Sequence, residues 1–107
     1  MIQRKQYITQ LIRQKVNEID NTAEVILYGS RARGDNRRDS DWDVMILLKR
    51  KDVDKKVEQT FRHNLLDIEL EIGVPVSVFV YSKSDWEGKY SITPLFISIK
   101  KEGILIP

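Results

Sequence analysis

One hundred and seven residues, with three prolines and five glycines spread thinly, are enough for one core and too few for a second module, so a single domain over residues 1–107 is expected. Eighteen basic against sixteen acidic side chains leave a charge of +2, too small an imbalance to call for a nucleic-acid partner. The chain has no cysteine, no apolar leader after Met1-Ile2 and no apolar run beyond a few residues, which leaves secretion and membrane spanning unsupported and makes the cytoplasm the expected compartment.

In chain order, Ile8, Leu11, Ile12, Val16 and Ile19 recur at helical spacing and predict an amphipathic helix over residues 4–20, ended by Asp20-Asn21-Thr22. Residues 24–28 read as a strand whose Val25-Ile26-Leu27-Tyr28 run leads into Gly29-Ser30, with Ser30 as the cap of a short helix near residues 31–33. Residues 34–40 read as loop. A second strand over residues 43–49 carries Val44-Met45-Ile46-Leu47-Leu48, apolar on both faces as befits a strand in the middle of a covered sheet. Val53, Val57, Phe61, Leu65, Ile68 and Ile72 then mark a helix over residues 52–71, with Asp52 as its cap and Gly73 as its stop. Pro75 opens a third strand over residues 76–81, and residues 82–87 read as a polar turn containing Trp86. Thr93-Pro94 has the form of a cap and first helical residue for a helix over residues 95–101, closed by Gly103 before Ile104-Leu105-Ile106.

The chemistry is concentrated between residues 29 and 43. A glycine lets backbone approach a phosphate, and a helix start offers unpaired amides and a dipole that favours negative charge. About ten residues further on come Asp41 and Asp43, which share one face of a strand while Val44, Ile46 and Leu48 take the other. Two carboxylates side by side repel, and the pair is tolerable around a hard cation such as Mg²⁺, which takes one or two carboxylates together with water and phosphate oxygens. Arg31, Arg33, Arg37 and Arg38 surround the segment with positive charge suited to a triphosphate.

Gly29, Ser30, Asp41 and Asp43, at this spacing and each attached to a strand, resemble the signature of the DNA polymerase beta-like nucleotidyltransferase superfamily. The fuller string Gly-Ser-Arg-Ala-Arg-Gly at residues 29–34, with Asp39-Ser40-Asp41 and Asp43-Val44, is most similar to the minimal nucleotidyltransferases, small proteins often encoded beside a HEPN-domain partner. The resemblance covers most of the chain. It implies an α+β fold, a small mixed β-sheet with helices packed on one side. It implies Mg²⁺ on the catalytic carboxylates Asp41 and Asp43, and ATP as donor held by Gly29, Ser30, Arg31, Arg33 and Ser40. The acceptor it implies is a hydroxyl, a tyrosine of a HEPN-type toxin, which makes the chain an antitoxin.

The chain departs from the family pattern at one place: the position of a third carboxylate is occupied by Ser77, which alternation places toward the aspartate pair. Asp67, Glu69 and Glu71 fall on a helix as a solvated face, and Asp85 lies eight residues beyond Ser77, roughly 26 Å away along a straight strand. The lone His63 reads as a surface residue, and Trp42 as strand packing turned away from the metal. Trp86 and Tyr90 read equally as core or as an aromatic edge for a partner. Two functions follow: an enzyme that adenylylates its partner, or a binding module of the same fold that masks the partner after losing its third acid.

Overall fold

The computed structural model of the protein describes residues 3–107. Helix α1 (Arg4–Asn17) turns Ile8, Ile12 and Val16 inward. It stops before the end of the apolar spacing, because Asp20 accepts hydrogen bonds from the Thr22 amide and hydroxyl at 2.9 and 2.6 Å and bends the chain, which leaves Ile19 exposed. Strand β1 (Glu24–Tyr28) enters the short helix α2 (Ser30–Arg33), and β2 (Trp42–Leu48) returns antiparallel to β1. Helix α3 (Lys55–Ile72) then carries the chain over to β3 (Val76–Ser82), parallel to β2. Its cap is Asp54, whose side chain accepts from the Val57 amide at 3.0 Å, and not Asp52; Gly73 ends it at a φ of 78°, as the sequence indicates.

Two elements were not legible as such. Ser82 accepts from the Asp85 amide at 3.1 Å and caps a short helix, α4 (Lys83–Glu87), where a turn was expected. After α5 (Pro94–Glu102), capped by Thr93 as expected, Ile104–Leu105 pairs with β1 as strand β4, and the Ile106 amide donates to the Val25 carbonyl at 2.8 Å. The sheet order is β3-β2-β1-β4, with β2 in its interior.

The pleat divides the apolar residues into two cores. Val25, Leu27, Val44, Ile46, Leu48, Val76, Val78 and Val80 face α1 and α3. On the opposite face Tyr28, Met45 and Leu47 meet Trp86 of α4 and Ile99 of α5. The fold is the small mixed α+β sheet expected, with its two long helices on one side. The second face carries a smaller cover from α4 and α5, since Met45 and Leu47 are apolar residues there that need burying. Trp86 therefore belongs to a core, with its ring 5.2 Å from Phe96 and 5.4 Å from Tyr81, and Tyr90 packs on the same Tyr81 at 5.0 Å. His63 is exposed on α3. Among the described residues no helix is long and apolar enough to cross a membrane.

Truncating a buried aromatic costs about 3–5 kcal/mol. Trp86→Ala should therefore lower the midpoint of thermal unfolding, followed by circular dichroism, by more than about 10 °C for a domain of this size.

Candidate active site

Three strands align the site. The antiparallel register sets Tyr28 opposite Asp43, and the parallel register sets Ser77 beside Asp43 from the other flank. Along β2 the pleat sends Trp42 and Val44 into the α1–α3 core and Asp43 to the opposite face. Asp41 sits one residue before β2, where the Trp42 amide already pairs with the Pro75 carbonyl at 3.0 Å, so its backbone is held level with the start of β3. The Ser77 hydroxyl donates to an Asp41 carboxylate oxygen at 3.3 Å. Ser77 thus faces the aspartate pair, as alternation indicates.

The turn after β1 closes the row from the other side. Gly29 has φ 75° and ψ −160°, a conformation L side chains rarely adopt, and a Cβ built there would run into the Asp43 carboxylate. The conformation calls for glycine, and any side chain there would also have to displace the Asp43 carboxylate. Gly29, and not Ser30, is the cap residue of α2: its carbonyl accepts from the amides of Ala32 and Arg33 at 3.0 and 3.1 Å. Ser30 is the first helical residue, and among the described residues the Ser30 and Arg31 amides ahead of that pair have no such acceptor.

The arginines are placed differently from one another. Arg31 donates to the Ser40 carbonyl at 2.9 and 3.2 Å and to the Arg38 carbonyl at 3.0 Å, and its guanidinium lies 4.7 Å from the centre of the Trp42 ring. It braces the loop that delivers Asp41. Ser40 closes the same loop, its hydroxyl accepting from the Arg37 amide at 2.8 Å. Arg33 pairs with Asp35 at 3.2 Å and with Glu102 at 3.1 Å, which ties α2 to the end of α5. Arg37 and Arg38 are exposed and make no ion pair among the described residues. Gly29, Ser30, Asp41, Asp43 and Ser77 are therefore brought together, while Arg31, Arg33 and Ser40 have internal partners around them.

The electrostatics of the pair follow from this packing. Half-buried Asp43 has its pKa raised, first by burial and then by the neighbouring Asp41 charge, with Arg33 opposing. Burial, and then the Asp43 charge, likewise push up the Tyr28 phenol. Like charges held this way are relieved by a cation. Among the described residues no group of three or more His, Cys, Asp or Glu side chains is arranged for a metal. Two carboxylates and a neutral hydroxyl fit a Mg²⁺ ion that arrives with phosphate oxygens and water, and do not form an all-protein cage. The four acids on α3 and α4 weighed as possible substitutes have other partners: Glu69 accepts from the Val76 amide at 2.7 Å, Glu71 from the Tyr7 hydroxyl at 2.8 Å, Asp67 pairs with Lys15 at 3.3 Å, and Asp85 with Lys89 at 3.7 Å. Tyr28 was missed in the sequence, although the period-two alternation that orients Asp43 also orients it.

A glycine turn pressed against a carboxylate pair, at one end of a mixed sheet, defines a site for nucleotidyl transfer. The model of the nucleotidyltransferase domain family matches residues 10–106, which include the whole row, and the chain belongs to that family. The match agrees with the minimal nucleotidyltransferase pattern read from the motif, and members of the family generally use Mg²⁺ and nucleoside triphosphates. No curated protein matched the chain.

Two outcomes follow from the geometry. Gly29→Ala should displace Asp43 at a conformational cost of about 1–2 kcal/mol and leave the melting temperature unmoved by Mg²⁺ and a nucleoside triphosphate, additions expected to raise it in the parent. Because the folded state raises the Asp43 pKa, it releases that proton less readily than the unfolded chain, so stability falls as pH climbs through the ordinary carboxylate range to the raised value. Without divalent cations at neutral pH, Asp43→Asn should melt above the parent. The gap should close on acidification below that range and shrink with saturating Mg²⁺, as followed by calorimetry.

Proposed function

We propose that the chain transfers AMP from ATP to a hydroxyl of a partner protein, a tyrosine of a HEPN-type toxin, and so acts as its antitoxin in the cytoplasm. The observation that carries this reading is the contact of Gly29 with Asp43: a turn fit for polyphosphate is built directly against a carboxylate fit for the accompanying cation. In this reading the Ser30 and Arg31 amides take the β- and γ-phosphates. Arg33, whose charge reaches Asp43, adds positive field, and Arg31 and Ser40 serve the nucleotide through the loop they close. Asp41 and Asp43 would hold Mg²⁺, which would supply neutralisation of the charge on the transferring phosphate.

In the transfer, the acceptor oxygen forms a bond to the α-phosphorus and the bond from that phosphorus to the α–β bridging oxygen breaks. Pyrophosphate leaves with the electron pair, and the acceptor proton passes to solvent or to a base on the partner. Ser77 supplies no carboxylate base. The near balance of charge, +2 over the chain, gives nucleic acid no support as the acceptor.

Ser77 also supports a second reading, a module that masks its partner without transferring anything. The experiment that separates the two is intact-mass measurement of the partner after incubation with the chain, ATP and Mg²⁺, beside an Asp41→Asn, Asp43→Asn control. The expected result is a gain of one or more AMP units, absent in the control. A partner of unchanged mass that is still silenced would move the assignment to masking. If the third carboxylate limits the rate, Ser77→Asp should raise the initial rate of AMP incorporation about a hundredfold or more, the scale of one positioned proton acceptor.

A further inference from the structure

The geometry points to Phe79 as an acceptor-binding residue, a flat apolar shelf on which the ring of the incoming tyrosine stacks while its hydroxyl reaches the Asp41–Asp43 pair. The inference deepens the proposed transfer and rests on it. The argument begins with strand order. Gly29, at the end of β1, abuts Asp43; the Ser77 hydroxyl, on β3, donates to Asp41 at 3.3 Å; β2 lies between. In phosphoryl and nucleotidyl transfer the attacking and leaving oxygens lie roughly in line through the phosphorus. With the polyphosphate on the Gly29 turn, pyrophosphate departs over β1, so the acceptor must approach over β3.

The β3 side chains on the carboxylate face are Ser77, Phe79 and Tyr81. Tyr81 is already covered by Trp86 and Tyr90, with ring centres at 5.4 and 5.0 Å. Phe79 is 40% exposed, although its neighbour across the register, Met45, is fully buried. It is the one large apolar side chain of this strand face left open, and it lies between the carboxylate row and the aromatic cover. Residues two apart on a strand stand about 7 Å apart. Stacked or tilted rings prefer centroid separations of about 4.5–7 Å. A tyrosine ring over Phe79 therefore has its hydroxyl within one side-chain length of Ser77.

The outer flank of β3 is shaped to match. A cleft of about 520 Å³ runs between β3 and α3, bounded by Arg62, Leu66, Glu69, Ser77 and Phe79 among others. Its backbone edge is partly closed to strand addition, because Glu69 accepts from the Val76 amide at 2.7 Å and Arg62 donates to the Val78 carbonyl at 3.2 Å. What the cleft offers an acceptor is room for side chains.

The test is steady-state kinetics of AMP transfer from ATP and Mg²⁺ to the HEPN-domain partner by the parent, Phe79→Ala, Phe79→Leu and Phe79→Tyr chains. Phe79→Ala should raise KM for the acceptor about tenfold, the upper range of an aromatic pair, with KM for ATP within about twofold. Phe79→Leu, which keeps apolar bulk without a flat face, should show most of the same loss, and Phe79→Tyr should retain parental kinetics. Melting temperatures with and without ATP and Mg²⁺ check that each variant folds and binds nucleotide. A Phe79→Ala chain with parental KM for the acceptor overturns the inference, as does one whose KM rises for ATP instead, which would make Phe79 a nucleobase shelf. A parent chain that transfers no AMP overturns the proposed transfer and this inference together, and that failure is recognisable because it appears before any substitution is made.

Discussion

The site depends on one missing atom. Because Gly29 has no Cβ, the turn after β1 can settle against the Asp43 carboxylate, and because its φ is 75° the chain can reverse there into α2. Both requirements fall on a single residue at the junction of β1 and α2, which lets the backbone of the turn lie directly against the Asp43 side chain. Such a constraint is rigid, and rigidity is what transfer chemistry asks of its scaffold, since most of the catalysis lies in positioning and in neutralising charge.

Around that contact the protein spends its polar side chains on geometry. Arg31 is bonded to two loop carbonyls and stacked on Trp42, and Trp42 is itself buried in the α1–α3 core between Asp41 and Asp43. The carboxylates are therefore anchored from below by an apolar ring and from the side by a guanidinium. This arrangement holds two like charges near each other in a half-buried place, at a cost visible in the raised pKa of Asp43. A cation held between the two carboxylates would offset that cost.

How much of this was legible in the sequence differs by element. The long helices, the three principal strands and the orientation of Asp43, Trp42 and Ser77 follow from apolar periods of 3.6 and 2, because burial enforces those periods. The misreadings share a cause: they concern residues whose roles are decided by hydrogen bonds to a particular neighbour. Asp52 and Asp54 are both good caps in isolation, and only the Val57 amide chooses between them. Ser82 looks like turn material until it accepts from Asp85 and starts α4. Ile104-Leu105 is too short to announce itself as a strand and becomes one because the edge of β1 is available. Arg31, Arg33 and Ser40, read toward the nucleotide in the sequence, also carry internal partners, the Ser40 carbonyl, Glu102 and the Arg37 amide, and of these the Arg33–Glu102 pair joins positions that no local pattern connects.

The pairing of Arg33 with Glu102 joins residues sixty-nine positions apart, and β4 inserts beside β1 only after α5 has been laid down. The motif that reads as one contiguous string in the sequence is thus completed by nearly the whole length of the chain. During synthesis the turn and both aspartates emerge early, but the strand that flanks them, the helix that ties down α2 and the cover of the second core arrive in the second half. Non-local closure of this kind is slow relative to local helix formation. The competence of the site to hold nucleotide therefore appears late and all at once, with the folding of the entire domain, so a nascent or truncated chain carries the full signature without the site it names.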